Sequence, residues 1–555
     1  MQITEHQLKR RTFLKSVSAG TIGSLTAFTQ MGRAAAAPIT LTAEHEKAVN
    51  RRRRILVQFD SQGSYDLDFD AWLDFRFAYI DEPGSQIDTI LWDMGRLGQV
   101  LYPSKFLDRL ETAELKKWQD QGIDMVGRLI EGTKKRGLEV FWHHRFSEVD
   151  VNTSVGRGAA WKEGPAPLKK AHPDWALKND WWHHGLWNCA VPGVRECTVK
   201  CLREVAEMYG VDGLQIDFAR HIPCLPPGRQ WEMREHVTEL MRMTRQMAEE
   251  VARDRGRPLL VSAKVPRNLE GCRVDGFDVE TWVQEGLVDM FTLGSRSIDV
   301  DVTAYRRITE GRNIKLHPCF DDHHATDGYR YPPMEVLRGI TSNWWQQGAD
   351  GIMTFNWSNA PPETCKALGQ DPGPLTHQQA YREIGNPAAM TWKDKTFVVE
   401  RRGGYPWSQG FFGRNDTSPL PMKIARGGEA AVQVRVSDDV KQRADRIKEL
   451  VLRVVFFDAH EEDTFEARLN ATPLKLLTRD ADWKDPQIFS PRPQPASGGK
   501  GNYKVNPRQK LLRLDFAIDP KSCIVGKNAV GLHVASPKPD GDVQLEKVEV
   551  HVRYG

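Results

Sequence analysis

No CxxC pair occurs among the eight cysteines of this 555-residue chain, which stand at 189, 197, 201, 224, 272, 319, 365 and 523. That spacing excludes a dense disulfide framework, and Cys197 and Cys201, one helical turn apart, read as small residues on a buried face. No apolar run reaches the roughly 20 residues that a membrane-spanning helix needs. No Gly-rich phosphate loop follows the first strand-like run, which argues against a dinucleotide-binding doubly wound sheet. Neither sign of charge dominates, with 77 Lys and Arg against 74 Asp and Glu, so nothing points to nucleic acid. What is present, 40% hydrophobic and 27% charged residues, describes a globular chain with room for more than one domain.

The first 37 residues are read apart from the rest. Arg10 and Arg11, then Phe13, Leu14 and Lys15, precede a weakly apolar stretch broken by Gly, Ser, Thr and Gln, and an alanine run suited to a signal peptidase follows. The segment resembles a twin-arginine export signal, which implies a periplasmic or extracellular location. Its five Lys and Arg and one Glu account for the basic balance: without them the formal charge of +3 becomes −1.

From about 54 to 357, strand-like apolar runs alternate with helical patterns. The runs are 54–60, 87–95, 137–145, 212–220, 258–267, 288–296, 313–322 and 349–357. Between them lie amphipathic stretches such as "VRECTVKCLREVAEMYG", with Val194, Cys197, Cys201, Leu202, Val205 and Met208 at helical spacing and Gly210 to close the helix. Eight such alternations predict a (β/α)8 TIM barrel, an α/β fold, over residues 50–394.

In such a barrel helices cover the outer face of each strand, and the site lies at the C-terminal mouth. In "VDGLQIDFAR", Leu214, Ile216 and Phe218 then face the helices, while Gln215 and Asp217 face the axis. The same alternation turns inward Gln58 and Asp60, His143, Ser262 and Lys264, His317 and Asp321, and Thr354 and Asn356. A single one of these reads equally well as a satisfied layer residue or a helix cap; six strands ending alike point to a site, because burying so many ionisable groups is costly.

Glycoside hydrolysis needs two carboxyl groups flanking the scissile bond. Asp217 and Asp321 lie on separate parts of the rim and are the leading pair, with Glu270 and Asp322 as further candidates. Asp60, Asp93, Trp142, His143, His144, Trp182, Arg220, Lys264, Arg296, His323 and Asn356 are expected to contact substrate. The stretch "HPDWALKNDWWHHGLWN" adds Trp175, Trp181, Trp182 and Trp187 among polar residues, which suits stacking on sugar rings as well as a local cover over the barrel rim. Arg220, Arg229, Lys264, Arg296 and Arg330 would suit an acidic or sulfated sugar, or stand as solvated rim charges. The adjacent His pairs at 143–144, 183–184 and 323–324 raise metal chemistry as a rival. Adjacent residues of a strand point to opposite faces, however, HExxH is absent, and the first strand ends "VQFD" without an HxH, so no metal or other cofactor is expected.

Three blocks carry a family resemblance over about residues 50–360. "NCAVPGVREC…REVAEMYGVDGLQIDFAR", "GFDVETWVQEGLVDMFTL" and "WWQQGADGIMTFNW" resemble the fourth-strand, sixth-strand and closing-strand blocks of the bacterial family-ten-like hypothetical glycosyl hydrolases. The resemblance implies a TIM barrel in a carbohydrate-active setting, with Asp217 as the strand-four aspartate and Arg220 as its charge partner or a substrate clamp. The loops "HIPCLPPGRQWE" and "DDHHATDGYRYPP" depart from the family pattern, so its specificity does not carry over.

Beyond about 395 the pattern changes to short alternating runs that predict an antiparallel β-sandwich over 423–555, after a linker at 395–422. The sandwich resembles accessory domains of glycoside hydrolases, which either bind carbohydrate or brace the barrel. The expected protein is thus an exported glycoside hydrolase with a carbohydrate substrate and no membrane span in its mature form. The alternatives are a non-catalytic glycan-binding barrel and a metal-dependent hydrolase.

Overall fold

The computed structural model describes residues 41–555 except 60–66, 148–164, 179–183, 220, 295–296, 322–328, 330–331, 356–375, 402–417, 486–487, 491–503, 506–509 and 539. The twin-arginine segment, Cys365 and the Pro-rich loop of the sandwich lie mainly or wholly outside these residues. No described helix is long and apolar enough to cross a membrane.

Eight parallel strands close into a barrel: β1 (Ile55–Phe59), β2 (Ile87–Gly95), β3 (Glu139–Arg145), β4 (Gly213–Asp217), β5 (Leu260–Val265), β6 (Met290–Leu293), β7 (Lys315–Asp321) and β8 (Ile352–Phe355). Each pairs with its sequence neighbours, and β1 pairs with β8. All eight runs read from the sequence are present, the second with the bounds read and the other seven shorter than their apolar stretches.

The strands hold two faces apart as their alternation requires. Leu214, Ile216 and Phe218 join the large core beneath the helices, where Phe218 packs on Phe146, Phe277 and Trp282. Removing such a ring from water contributes about 1.5–3 kcal/mol. The axis is filled by Leu56, Leu91, Phe141, Leu260, Met290, Cys319, Met353 and Phe355. Two of these correct the reading of the last strand: Met353 and Phe355, not Thr354, face inward, and the Thr354 hydroxyl meets that of Tyr381 at 3.1 Å. The polar residue of β8 found a partner outside the barrel, and the ring filled the axis.

Helix Pro192–Tyr209 starts with proline in its first turn and stops at Gly210, whose φ of 54° is left-handed. Its buried stripe is Val194, Thr198, Cys201, Leu202, Val205 and Ala206; Cys197 is half-buried and Met208 is 36% exposed, so the stripe lies slightly round the helix from the one expected. The seven described cysteines are all free thiols. Helix Ala43–Val49 lies ahead of the expected domain start and closes the N-terminal end of the barrel, with Val49 against the inner core.

The C-terminal part is a sandwich of two antiparallel sheets. One comprises β9 (Lys395–Val398), β10 (Met422–Ala425), β12 (Ile447–Phe457), β14 (Lys475–Trp483), β15 (Leu511–Ala517) and β17 (Asp542–Tyr554). The other contains β11 (Glu429–Val436), β13 (Thr464–Leu469) and β16 (Gly526–Ala535), extended by Thr472–Pro473. The stretch read as a linker contributes strands at both ends: β9 and β10 pair with β17. Helix Met334–Gln346 of the barrel presses on β9 at Gly339, where an added Cβ would stand 2.2 Å from the Thr396 carbonyl oxygen; only glycine permits that approach.

Candidate functional site

Parallel register brings the inward polar residues side by side. Arg145 and His143 on β3 are level with Asp217 and Gln215 on β4, which are level with Lys264 and Ser262 on β5. All six are buried. Lys264 Nζ stands 3.6 Å from Asp217 Oδ2 and donates to Gln58 Oε1 at 2.8 Å, with the Phe355 ring centroid 4.1 Å away. Asp93 on β2 accepts from Arg145 Nε and Nη2 at 2.9 and 2.5 Å and from Gln58 Nε2 at 3.1 Å.

Two glutamines set the orientation of His143. Gln215 Nε2 donates to Ser262 Oγ at 3.0 Å and Thr292 Oγ1 at 2.8 Å, which leaves its Oε1 for His143 Nδ1 at 2.8 Å. That network assigns a proton to Nδ1. The other ring nitrogen faces Asp217 Oδ2 at 3.2 Å and the Gln58 amide at 2.7 Å. The Asp217 carboxylate also accepts the Ala219 N–H at 2.9 Å through Oδ1.

Burial alone would raise the affinity of Asp217 for a proton. Lys264, His143 and Arg145 outweigh it and hold the carboxyl well below the usual carboxylate range. Asp217 is therefore an anion throughout the working pH range, suited to act as nucleophile, base or charge stabiliser and not as proton donor.

The remaining expected residues divide three ways. Asp93, His143, Lys264 and Asp217 come together in one network. Trp142 and His144 do not: both lie on the outer face of β3, Trp142 edge-on to Tyr102 at 5.5 Å and His144 4.0 Å from Cys201 Sγ under helix Pro192–Tyr209. Strand alternation forces this, since neighbours of an inward His143 must point outward. Glu270 is exposed in the first turn of helix Leu269–Asp275, beyond β5. Asp60, Trp182, Arg220, Asp322, His323, Arg296 and Asn356, together with the side chain of Asp321 at the end of β7, lie outside the described residues; so do Trp181, His183 and Arg330.

Two tryptophans of the insertion serve packing. Trp175 stacks on His172 at 3.9 Å, and its ring fills the space over Gly193. Trp187 is buried and donates to the Leu97 carbonyl at 3.0 Å. Arg229 is exposed and pairs with Glu232 at 2.7 Å, a rim charge. Arg145 was missed, although carrying the alternation of "FWHHR" two residues past His143 reaches it. Among the described residues no group of three His, Cys, Asp or Glu side chains could hold a metal ion.

Residues 77–229, which contain β2, β3, β4 and Asp217, match the family model described as Glycosyl hydrolase-like 10. The Glycosyl hydrolase DigH of Escherichia coli (strain K12) is 26% identical over 136 residues, 24% of this chain and 30% of the relative, and that of Shigella flexneri gives the same figures. The chain thus spans about a third of the length of the curated relatives it matches. Among solved structures, the glycoside hydrolase domain of PgaB (BpsB) from Bordetella bronchiseptica aligns with a TM-score of 0.40 at 10% identity, covering 60% of this chain and 99% of that one. The α-amylase of Geobacillus thermoleovorans complexed with acarbose aligns at 0.34 and 11%, covering 87% and 98%. The closed eight-stranded barrel is a TIM barrel, and over residues 77–229 the chain is similar to the Glycosyl hydrolase-like 10 family.

Proposed function

We propose that the barrel hydrolyses a glycosidic bond in an oligo- or polysaccharide, with Asp217 as the ionised member of a carboxyl pair. The observation that carries this reading is the carboxylate at the C-terminal end of β4, held between Lys264, His143 and Arg145 in a barrel whose matched segment is glycosyl-hydrolase-like. A carboxylate kept ionised by fixed cations stabilises positive charge developing at an anomeric carbon, or attacks it. Asp93 is already committed to Arg145 and Gln58, so the proton donor is sought at Asp321 and Glu270.

The test is a screen of the protein and its Asp217→Asn variant on aryl glycosides and on neutral and acidic polysaccharides, reading released sugar and its anomer. Turnover that disappears in the variant supports the hydrolase; the anomer then separates retention from inversion. Complete burial of Asp217 favours a second reading, glycan binding without cleavage. It stands if both forms bind a glycan equally and neither releases sugar.

The twin-arginine motif supports export. Replacing Arg10 and Arg11 with lysine is expected to leave unprocessed protein in the cytoplasm on cell fractionation; unchanged export would refute the assignment.

A further inference from the structure

Three segments that leave the mouth end of the barrel are held by buried carboxylates from the C-terminal part of the chain. Arg267, just beyond β5, pairs with Glu400 through Nη1, and both side chains are buried. The other Glu400 oxygen accepts the backbone N–H of Ile298, beyond β6, at 3.1 Å. Tyr329, beyond β7, donates its hydroxyl to Glu549 Oε1 at 3.2 Å, and Lys547 and His551 hold the same carboxylate at 2.7 and 3.0 Å. Glu400 continues β9, and Glu549 lies on β17, so both belong to one sheet of the sandwich.

A domain attached for reach alone meets its neighbour through exposed ion pairs, each worth about 0–1 kcal/mol. Here the carboxylates are taken out of water, a cost offset only where partners are fixed in place. The Arg267 segment is correspondingly well tied. Its carbonyl accepts the Asp301 N–H at 3.0 Å, and the Pro266 carbonyl accepts the Tyr305 hydroxyl at 2.8 Å. It lies between Lys264, which faces Asp217, and Asn268, which caps the helix carrying Glu270.

We infer that Glu400 is a positioning residue of the mouth: from the sandwich it sets the segment between Lys264 and Glu270, and with it the strand-six segment at Ile298. The sandwich is then a working part of the site. What the mouth does rests on the hydrolase reading, but the positioning role is measurable without substrate.

The experiment is amide hydrogen exchange read by mass spectrometry on the full chain, comparing wild type, Glu400→Gln, Arg267→Gln and the double variant. Losing a charge-assisted hydrogen bond should speed exchange about tenfold or more in peptides spanning 266–275 and 297–301. Peptides spanning 43–53, at the far end of the barrel, should stay unchanged, and the double variant should not exceed Glu400→Gln, because both single variants break the same pair and Glu400 alone also holds Ile298. Unchanged exchange at 266–275 and 297–301, equal acceleration at 43–53, or additive effects would each overturn the assignment. A glycan screen without turnover touches none of these outcomes, so the two readings fail separately.

Discussion

The two ends of the barrel both bury charge, and they do so differently. At the N-terminal end Arg53 meets Glu139 through Nε and Nη2, both at 2.7 Å, while its remaining donors reach the carbonyls of Ala48 and Val49 at the end of helix Ala43–Val49. Asp289 sits between His45 at 2.8 Å and Arg245 at 3.0 Å, which hold its carboxyl down to about 2 against the opposing effect of burial. At the mouth Lys264 stands farther from its carboxylate, 3.6 Å from Asp217, with the His143 ring at 3.2 Å, and two neutral amides, Gln58 and Gln215, hold Lys264 and the ring in place. The mouth keeps one short pair of its own, Arg145 on Asp93, but around Asp217 the longer spacing and the two amides orient the charge where a short bidentate pair would simply neutralise it.

The largest expected break in this comparison is at Asp217. Asp217→Asn should lower turnover by about 10³-fold or more on any glycan the wild type cleaves, measured as kcat/KM, while the protein stays folded. Next comes the opposite end: Glu139→Gln leaves Arg53 buried with an uncompensated charge and should cost about 3–5 kcal/mol in denaturant unfolding. Its kcat should stay at the wild-type value, and a comparable loss of activity would erase the distinction between the ends. Gln215→Met removes the acceptor that fixes the His143 tautomer and should reduce kcat by about tenfold with little change in KM. A change confined to KM would move Gln215 from orienting His143 to holding substrate.

The smallest effect is one of pH. Burial depresses the pKa of both His144 and His317 to about 3, so the native protein binds fewer protons there than the unfolded chain between about pH 6.5 and 3. Stability supplied by these neutral rings is fully present above pH 6.5 and is lost as pH falls through that window. His144→Gln should flatten the decline of Tm between pH 7 and 4, and an unchanged slope would refute the assignment.

How much was legible follows the strength of each local signal. Strand β4 was read correctly down to its faces, because Leu214, Ile216 and Phe218 alternate with polar neighbours. Strand β8 was misread because its apolar and polar residues all admit burial; the choice between Thr354 and Phe355 fell to Tyr381 and to the space left along the axis. Trp142 and His144 looked like substrate contacts by residue type, yet the strand period already excluded them once His143 turned inward. The alternating run at β9 was legible, but the domain bounds gave it to the linker; that β9 and β10 pair with β17 was not, since β17 lies at the far end of the chain.

The sequence by itself determined the eight-stranded alternation, the change to a sandwich near residue 395 and the carboxylate at the end of β4, because periods of two and of about 3.6 residues are local properties of the chain. Tertiary structure alone decided which charges meet Asp217, that Gln215 and Gln58 orient His143, and that Glu400 reaches Arg267 across 133 residues. Those pairings depend on barrel register and on how the sandwich docks, and both are set by packing between segments remote in the chain.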